Sequence, residues 1–213
     1  MRSGLLITFE GGEGSGKSTQ VSLLAERLRS LGRGVTTTRE PGGTLIGEEI
    51  RHTLKHSKDN AAMQAETELL LMNASRAQLV RELIRPALAR GDIVLCDRYY
   101  DSTTAYQGYG RQLDLAMVKT IVDVAVGDTR PALTFFFRVP HELSQERLRT
   151  RQATLPFIRD RIEEADREFF ARVAHGYEAI AAAEPERVKV IDASADVQQM
   201  HASIWRSVEP LLK

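Results

Sequence analysis

Five short apolar runs alternate along the chain with longer stretches in which apolar residues recur every three or four positions. The runs are Leu5 to Phe9, Val35 to Thr38, Ile93 to Cys96, Leu133 to Phe137 and Val188 to Ile191. Several lack polar alternation, the pattern of strands buried on both faces of a parallel sheet. Between them, Val21, Leu24, Leu28 and Leu31 form a helical stripe stopped by Gly32. Ala77, Val80, Ile84 and Leu88 form a second, with Pro86 marking a kink or break. Leu115, Val118, Val122 and Ala125 form a third, closed by Gly127. Phe169, Phe170, Val173, Tyr177 and Ile180 form a fourth, and Val197, Met200, Ile204, Val208 and Leu211 a C-terminal one. These stripes and Trp205 read as core or subunit-interface residues. Strands alternating with helices predict a doubly wound, five-stranded parallel sheet flanked by helices, in one domain over residues 1–213. Ligands are then expected at the C-terminal strand edges.

The first strand-to-helix junction carries chemistry. Gly11, Gly12, Glu13, Gly14, Ser15, Gly16, Lys17 and Ser18 spell G-x-x-x-x-G-K-[ST], with Thr19 next, between the first apolar run and the first helical stripe. Consecutive backbone N–H groups there form an anion nest, and the helix N-terminus adds roughly half a positive charge. Lys17 can reach β- and γ-phosphates, and the Ser18 hydroxyl can join the shell of a Mg²⁺ ion. The chain is therefore expected to bind a nucleoside triphosphate. The third apolar run ends in Asp97-Arg98, where Asp97 can hold Mg²⁺ through water and Arg98 enters the same cleft. An arginine after that aspartate suggests a second phosphate to be held, rather than a water to be activated. A guanine-reading Asn-Lys-x-Asp is missing: Asn60 and Asn73 are each followed by alanine. Two further segments at strand ends, Arg39 to Thr44 and Asp97 to Arg111, mix arginines, hydroxyls and rings, a combination that suits a nucleotide.

Composition narrows the partners. Lys plus Arg equals Asp plus Glu at 29 each among 213 residues, so no global field draws the protein to nucleic acid or a membrane. No apolar run approaches the ~20 residues that span a bilayer. Met1 to Gly4 leads straight into the first run without room for a signal peptide, and a cytoplasmic location is expected. Cys96 cannot form an internal disulfide and lies inside an apolar run, so it reads as packing. The five histidines show no metal-ligand spacing. From Arg147 to Arg161 the chain departs from the strand–helix rhythm, with arginines at 147, 149, 151, 159 and 161. That density suits a phosphate-clamping lid, against the plainer reading of a solvated helix end.

Over essentially its whole length the chain resembles thymidylate kinases of the bacterial type, a group of P-loop nucleoside monophosphate kinases. The matching segments, in order, are Phe9-Glu10-Gly11 through Thr19, Thr38 through Thr44, and Ser75-Arg76-Ala77-Gln78. Asp97-Arg98-Tyr99 with Ser102 and Ala105-Tyr106-Gln107-Gly108 follow, then Asp160-Arg161-Ile162-Glu163. The resemblance implies transfer of the γ-phosphoryl group of ATP to dTMP, with Mg²⁺, in dTTP synthesis, and a homodimer. It implies that Arg98 bridges the acceptor monophosphate toward the γ-phosphate and that Arg39 also binds that monophosphate. Arg76 would donate to the pyrimidine O4, and Thr103 and Gln107 would contact base or sugar. Tyr106 would pack under the deoxyribose, and Glu13 would approach the 3′-hydroxyl. Pro41 and Met72 complete the acceptor set. Plainer roles stand beside these: a surface salt bridge for Arg76, a turn cap for Gln107, core packing for Tyr106 and a solvated loop position for Glu13. The phosphate loop has no arginine among its variable positions, so the resemblance assigns the transition-state cation to the lid. Arg151 and Arg147 lead there, with Arg149 behind them, beside Lys17 and Arg98. Met72 stands where the family commonly presents an aromatic ring to thymine, and Tyr109 where a glycine is usual.

Overall fold

The computed structural model describes residues 4–57, 60–154 and 166–212. Among them, strands β1 (Leu5–Gly11), β2 (Val35–Arg39), β3 (Ile93–Asp97), β4 (Leu133–Arg138) and β5 (Val188–Asp192) form one sheet. Its order is β2-β3-β1-β4-β5 and every pairing is parallel. Each of the five expected strands is present and runs one or two residues further at its C-terminal end. Those added residues, Glu10 and Gly11, Arg39, Asp97, Arg138 and Asp192, are the ones that face the ligand edge.

Helices α1 (Lys17–Ser30), α2 (Leu45–Lys55), α3 (Ala65–Leu79), α4 (Arg85–Ala89) and α5 (Tyr100–Thr103) precede α6 (Leu115–Val126), α7 (His141–Thr154), α8 (Arg167–Ala183) and α9 (Val197–Val208). Side-chain alternation along β1 sorts the core into two layers. Ile7 and Phe9 pack with Leu24, Leu28, Phe135, Phe137, Ile204 and Trp205 under α1 and α9. Leu6 packs with Val94, Cys96, Leu69, Leu79 and Val122 under α3 and α6. A satellite cluster of Tyr106, Phe136, Phe169, Val173 and Tyr177 joins β4 to α8. Cys96 is a buried packing residue, as its apolar run implied.

Three elements depart from the sequence pattern, each for a physical reason. The stripe from Ala77 to Leu88 is one apolar line but three segments, because a wide π-type turn over Val80–Ile84 separates α3 from α4. Pro86, which has no N–H to give, then falls in the first turn of α4, where none is needed. Helix α2 buries Leu54 but exposes Leu45 and Ile46, too few inward apolar positions to read as a stripe, and it is capped where Thr44 Oγ1 accepts the Gly47 N–H at 3.0 Å. A second wide turn, Thr104–Gly110, continues α5 through the segment that carries Tyr106 and Gln107. At two stripe ends the helix stops early: Leu31 lies beyond α1 and is exposed, and Leu211 falls in a short 3₁₀ turn after α9.

Candidate active site

The phosphate loop joins β1 to α1 in the only order its backbone allows. Gly11 has φ +131°, and a Cβ there would stand 2.6 Å from the Phe137 carbonyl oxygen. Gly16, with φ +90°, turns the chain into α1. Lys17 folds back over the loop, with Nζ donating to the carbonyls of Gly11 (3.1 Å) and Gly12 (2.7 Å) and to Ser15 Oγ (3.2 Å). Burial first, then the neighbouring Arg98 charge, lowers this ammonium to about 8. Ser18 opens α1 and donates to Asp97 Oδ2 at 2.7 Å, although 79 residues separate them. A hydroxyl and a carboxylate so paired beside a phosphate cradle fit Mg²⁺, which keeps water and phosphate as its remaining ligands. Thr19 follows on the exposed side of α1.

Arg98 lies at the end of β3 with φ +69°, a left-handed backbone that costs a non-glycine residue about 1 kcal/mol. Its amide donates to the Phe9 carbonyl at 2.9 Å. The turn aims the guanidinium back across the loop, where Nη2 donates to Glu13 Oε1 at 2.9 Å and the cation lies 5.2 Å from the Tyr106 ring centre. Burial alone would raise the Glu13 carboxyl, but Arg98, Lys17 and Lys55 together hold it down at about 2. Glu13 is therefore a paired anion, not a merely solvated loop residue.

Beyond Arg98 a pocket opens, lined by Glu13, Pro41, Met72, Arg76, Arg98, Thr103, Tyr106 and Gln107. Eight residues separated widely in sequence thus meet around one cavity. Arg76 is buried: Nε and Nη2 lie 2.8 and 2.7 Å from Glu40 Oε2, Nη1 donates to Asn73 Oδ1 (2.8 Å), and Nη2 to the Tyr99 carbonyl (3.2 Å). Both partners of the Arg76–Glu40 pair are buried, so a plain surface salt bridge is excluded, and of the five Arg76 N–H groups one on Nη1 has no partner among the described residues. Gln107 is also buried, and its Nε2 donates to Glu68 Oε1 at 2.7 Å. Arg111 Nη2 holds the other Glu68 oxygen at 3.1 Å. The Gln107 amide is thereby oriented with its carbonyl oxygen available.

Arg39 stands outside that lining. It ends β2 in register with Asp97, half exposed, and donates to Glu48 Oε2 at 3.0 Å. Arg147 on α7 lies against the outer side of the loop, with Nη1 donating to the carbonyls of Gly14 (3.3 Å) and Ala193 (2.9 Å). Arg149 is exposed on α7. The Arg151 side chain and residues 155–161, including Arg159 and the Asp160-Arg161 segment, lie outside the described residues. Five residues of the lining were not singled out from the sequence as ligand contacts: Glu40, Lys55, Tyr99, Ser102 and Phe170. Phe170 brings an aromatic ring from α8 to the pocket that Met72 enters from α3. Glu40 contributes a buried carboxyl, raised by burial against the pull of Arg76, whose Oε1 has no partner. Among the described residues no cluster of His, Cys, Asp and Glu suits a metal by itself, and no helix is long and apolar enough to cross a membrane.

Comparison with known proteins agrees with this geometry. A family model described as Thymidylate kinase matches residues 9–204. The thymidylate kinase of Syntrophotalea carbinolica is 48% identical over 200 residues, covering 93% of this chain and 92% of that one. That of Deinococcus radiodurans is 45% identical over 210 residues, covering 98% of each. The crystal structure of thymidylate kinase from Ehrlichia chaffeensis superposes with a TM-score of 0.78 at 34% identity, over 97% of this chain and 99% of that one. With the family model spanning nearly the whole domain, and the loop, Arg98 and the buried Arg76 converging on one cleft, the chain belongs to the thymidylate kinase family.

Proposed function

We propose that the protein transfers the γ-phosphoryl group of ATP to the phosphate of dTMP, giving ADP and dTDP. The observation that carries this reading is the position of Arg98, between the triphosphate loop and a pocket that presents a donor and an acceptor side by side. The spare Nη1 N–H of Arg76 and the carbonyl oxygen of Gln107 match the C4 carbonyl and N3–H of thymine. Cytosine shows the reverse order at the same two positions and would leave buried groups unpaired. Tyr106, buried beneath Arg98, suits the deoxyribose, whose missing 2′-hydroxyl leaves room for the ring. Met72 and Phe170 supply the apolar walls for the base.

No covalent nucleophile is required. An acceptor phosphate oxygen, already anionic, forms the new bond to the γ-phosphorus while the bond to the β-phosphate oxygen of ADP breaks. Catalysis is then alignment plus charge neutralisation. Lys17 would leave its loop carbonyls for the β- and γ-phosphates, and Arg98 would exchange Glu13 for the acceptor phosphate. Glu13, released, would face the sugar hydroxyl. Ser18 and Asp97 would hold Mg²⁺, which would supply positive charge to the β- and γ-phosphates. Arg39 would meet the acceptor phosphate from β2, Arg147 and Arg151 would close on the transferring group from α7, and Pro41 and Thr103 would flank the acceptor. Apolar residues left exposed on α2, α3 and α6 support a homodimer, and the absence of a global charge field is in keeping with a cytoplasmic enzyme of small-molecule substrates.

An ADP-release assay across dTMP, dUMP, dCMP and AMP, with and without Mg²⁺, tests the reading. Release is expected to depend on Mg²⁺ and to favour dTMP by at least ~10²-fold over dCMP. A preference for AMP, or release that ignores the acceptor, would overturn it.

A further inference from the structure

Glu10 is fully buried near the C-terminal end of β1, on the face of the sheet opposite Phe9, directly behind Arg98. Its Oε1 accepts the Tyr99 N–H at 2.7 Å. Its Oε2 accepts from Ser102 Oγ at 2.6 Å and from the Tyr177 hydroxyl at 2.9 Å. Those two hydroxyls are 2.9 Å apart, and each also lies 3.3 Å from Arg98 Nη1. A hydroxyl has one proton. When both protons point at the carboxylate, both hydroxyls present only lone pairs to the guanidinium. Three elements, β1, α5 and α8, thus meet at Arg98, the cation between the phosphate loop and the pocket. Burial, followed by the Asp101 charge, pushes the Glu10 carboxyl up to about 7 in spite of three donors and the Arg98 charge. A residue needed only for packing would be apolar here.

We infer that Glu10 is a positioning residue for phosphoryl transfer: through Ser102 and Tyr177 it fixes the orientation in which Arg98 meets the acceptor phosphate. The inference rests on the reading that Arg98 binds that phosphate. Glu10 itself touches neither nucleotide. It orders the hydroxyl protons so that Nη1 is anchored on two acceptors and the opposite edge, now on Glu13, is free to turn to the substrate. Misplacing such a group by about 1 Å can cost on the order of 10²-fold.

The test is a calorimetric double-mutant cycle on the full chain, with dTMP as the probe and a non-hydrolysable ATP analogue as control. Glu10→Gln keeps the shape but puts an N–H₂ against a hydroxyl proton. It is expected to weaken dTMP binding about tenfold or more, to leave the ATP analogue unchanged, and to add nothing in an Arg98→Ala background. Unchanged dTMP affinity, a parallel loss for both nucleotides, or an equal loss without Arg98 would overturn the inference. If Arg98→Ala alone leaves dTMP binding intact, the assignment of Arg98 fails first, a different result. Should Glu10→Gln not fold, Tyr177→Phe makes the same comparison: a few-fold loss that vanishes with Arg98→Ala supports the inference, and no loss, or one that persists, contradicts it.

Discussion

Lys17 is a cation held in a dry place by two carbonyls and a hydroxyl, with no carboxylate bonded to it, and its lowered value near 8 has a direct consequence. In the free protein it loses its proton as pH rises through that value, whereas a bound triphosphate favours the charged form. Nucleotide binding should therefore take up a proton at pH values somewhat above 8 and take up none well below it. Calorimetry in buffers of different ionisation enthalpy measures this; zero uptake on the alkaline side would show that Lys17 does not pair with phosphate. Arg76 makes a second residue-scale prediction. Arg76→Ala strands the buried Glu40 carboxyl and should lower stability by ~3–5 kcal/mol. Glu40 is already raised, and without its partner it rises further, so the folded state binds an extra proton that the unfolded chain does not. The loss should be largest at high pH and ease as pH falls; urea melts at two pH values check it. The loop and Asp97-Arg98 were legible in the sequence because their chemistry is local. Glu10 and Tyr177 were not, since only the fold brings residues 167 positions apart to 2.9 Å.

Among the elements, helix α8 shows what periodicity can and cannot say. Its stripe, Phe169, Val173 and Tyr177, was readable as buried. That Phe170, one position on, would line the acceptor pocket was not, because a stripe gives the angle of a face without its partner. Tyr109, the residue that replaces a glycine, finds its reason on the same helix. Its ring lies against Gly176, where an added Cβ would come within 2.8 Å, and edge-on to His175 at 5.7 Å. The bulky residue of the wide turn is thus accommodated by a small one on α8. Gly176→Ala should destabilise by ~1–3 kcal/mol, and adding Tyr109→Ala should recover part of that. Equal losses in both backgrounds, read by thermal melts, would contradict the pairing. Helix α2 escaped the sequence pattern for the opposite reason: Leu54 is buried, but Leu45 and Ile46 in its first turn face outward.

For the whole molecule, the proposed homodimer would give those outward residues a use. Leu45 is 88% exposed on α2 and Val124 is 73% exposed on α6, with Ile46 and Leu70 also uncovered, and α3 packs against both helices. Arg81, in the wide turn that follows α3, ties that turn to α6 through the Val124 and Ala125 carbonyls, at 3.3 and 2.8 Å. The combined Leu45→Glu and Val124→Glu variant should halve the mass read by light scattering while keeping the far-ultraviolet spectrum; an unchanged mass would remove this face from the interface. The sheet order, the loop and the second phosphate cation together claim that one molecule holds two nucleotides with their phosphates facing. The most direct test is competition by adenosine and thymidine joined through a pentaphosphate bridge. Such a ligand should displace both ATP and dTMP and bind more tightly than either, with the gain lost in Arg98→Ala. Displacement of only one nucleotide, or affinity no better than dTMP alone, would contradict the account.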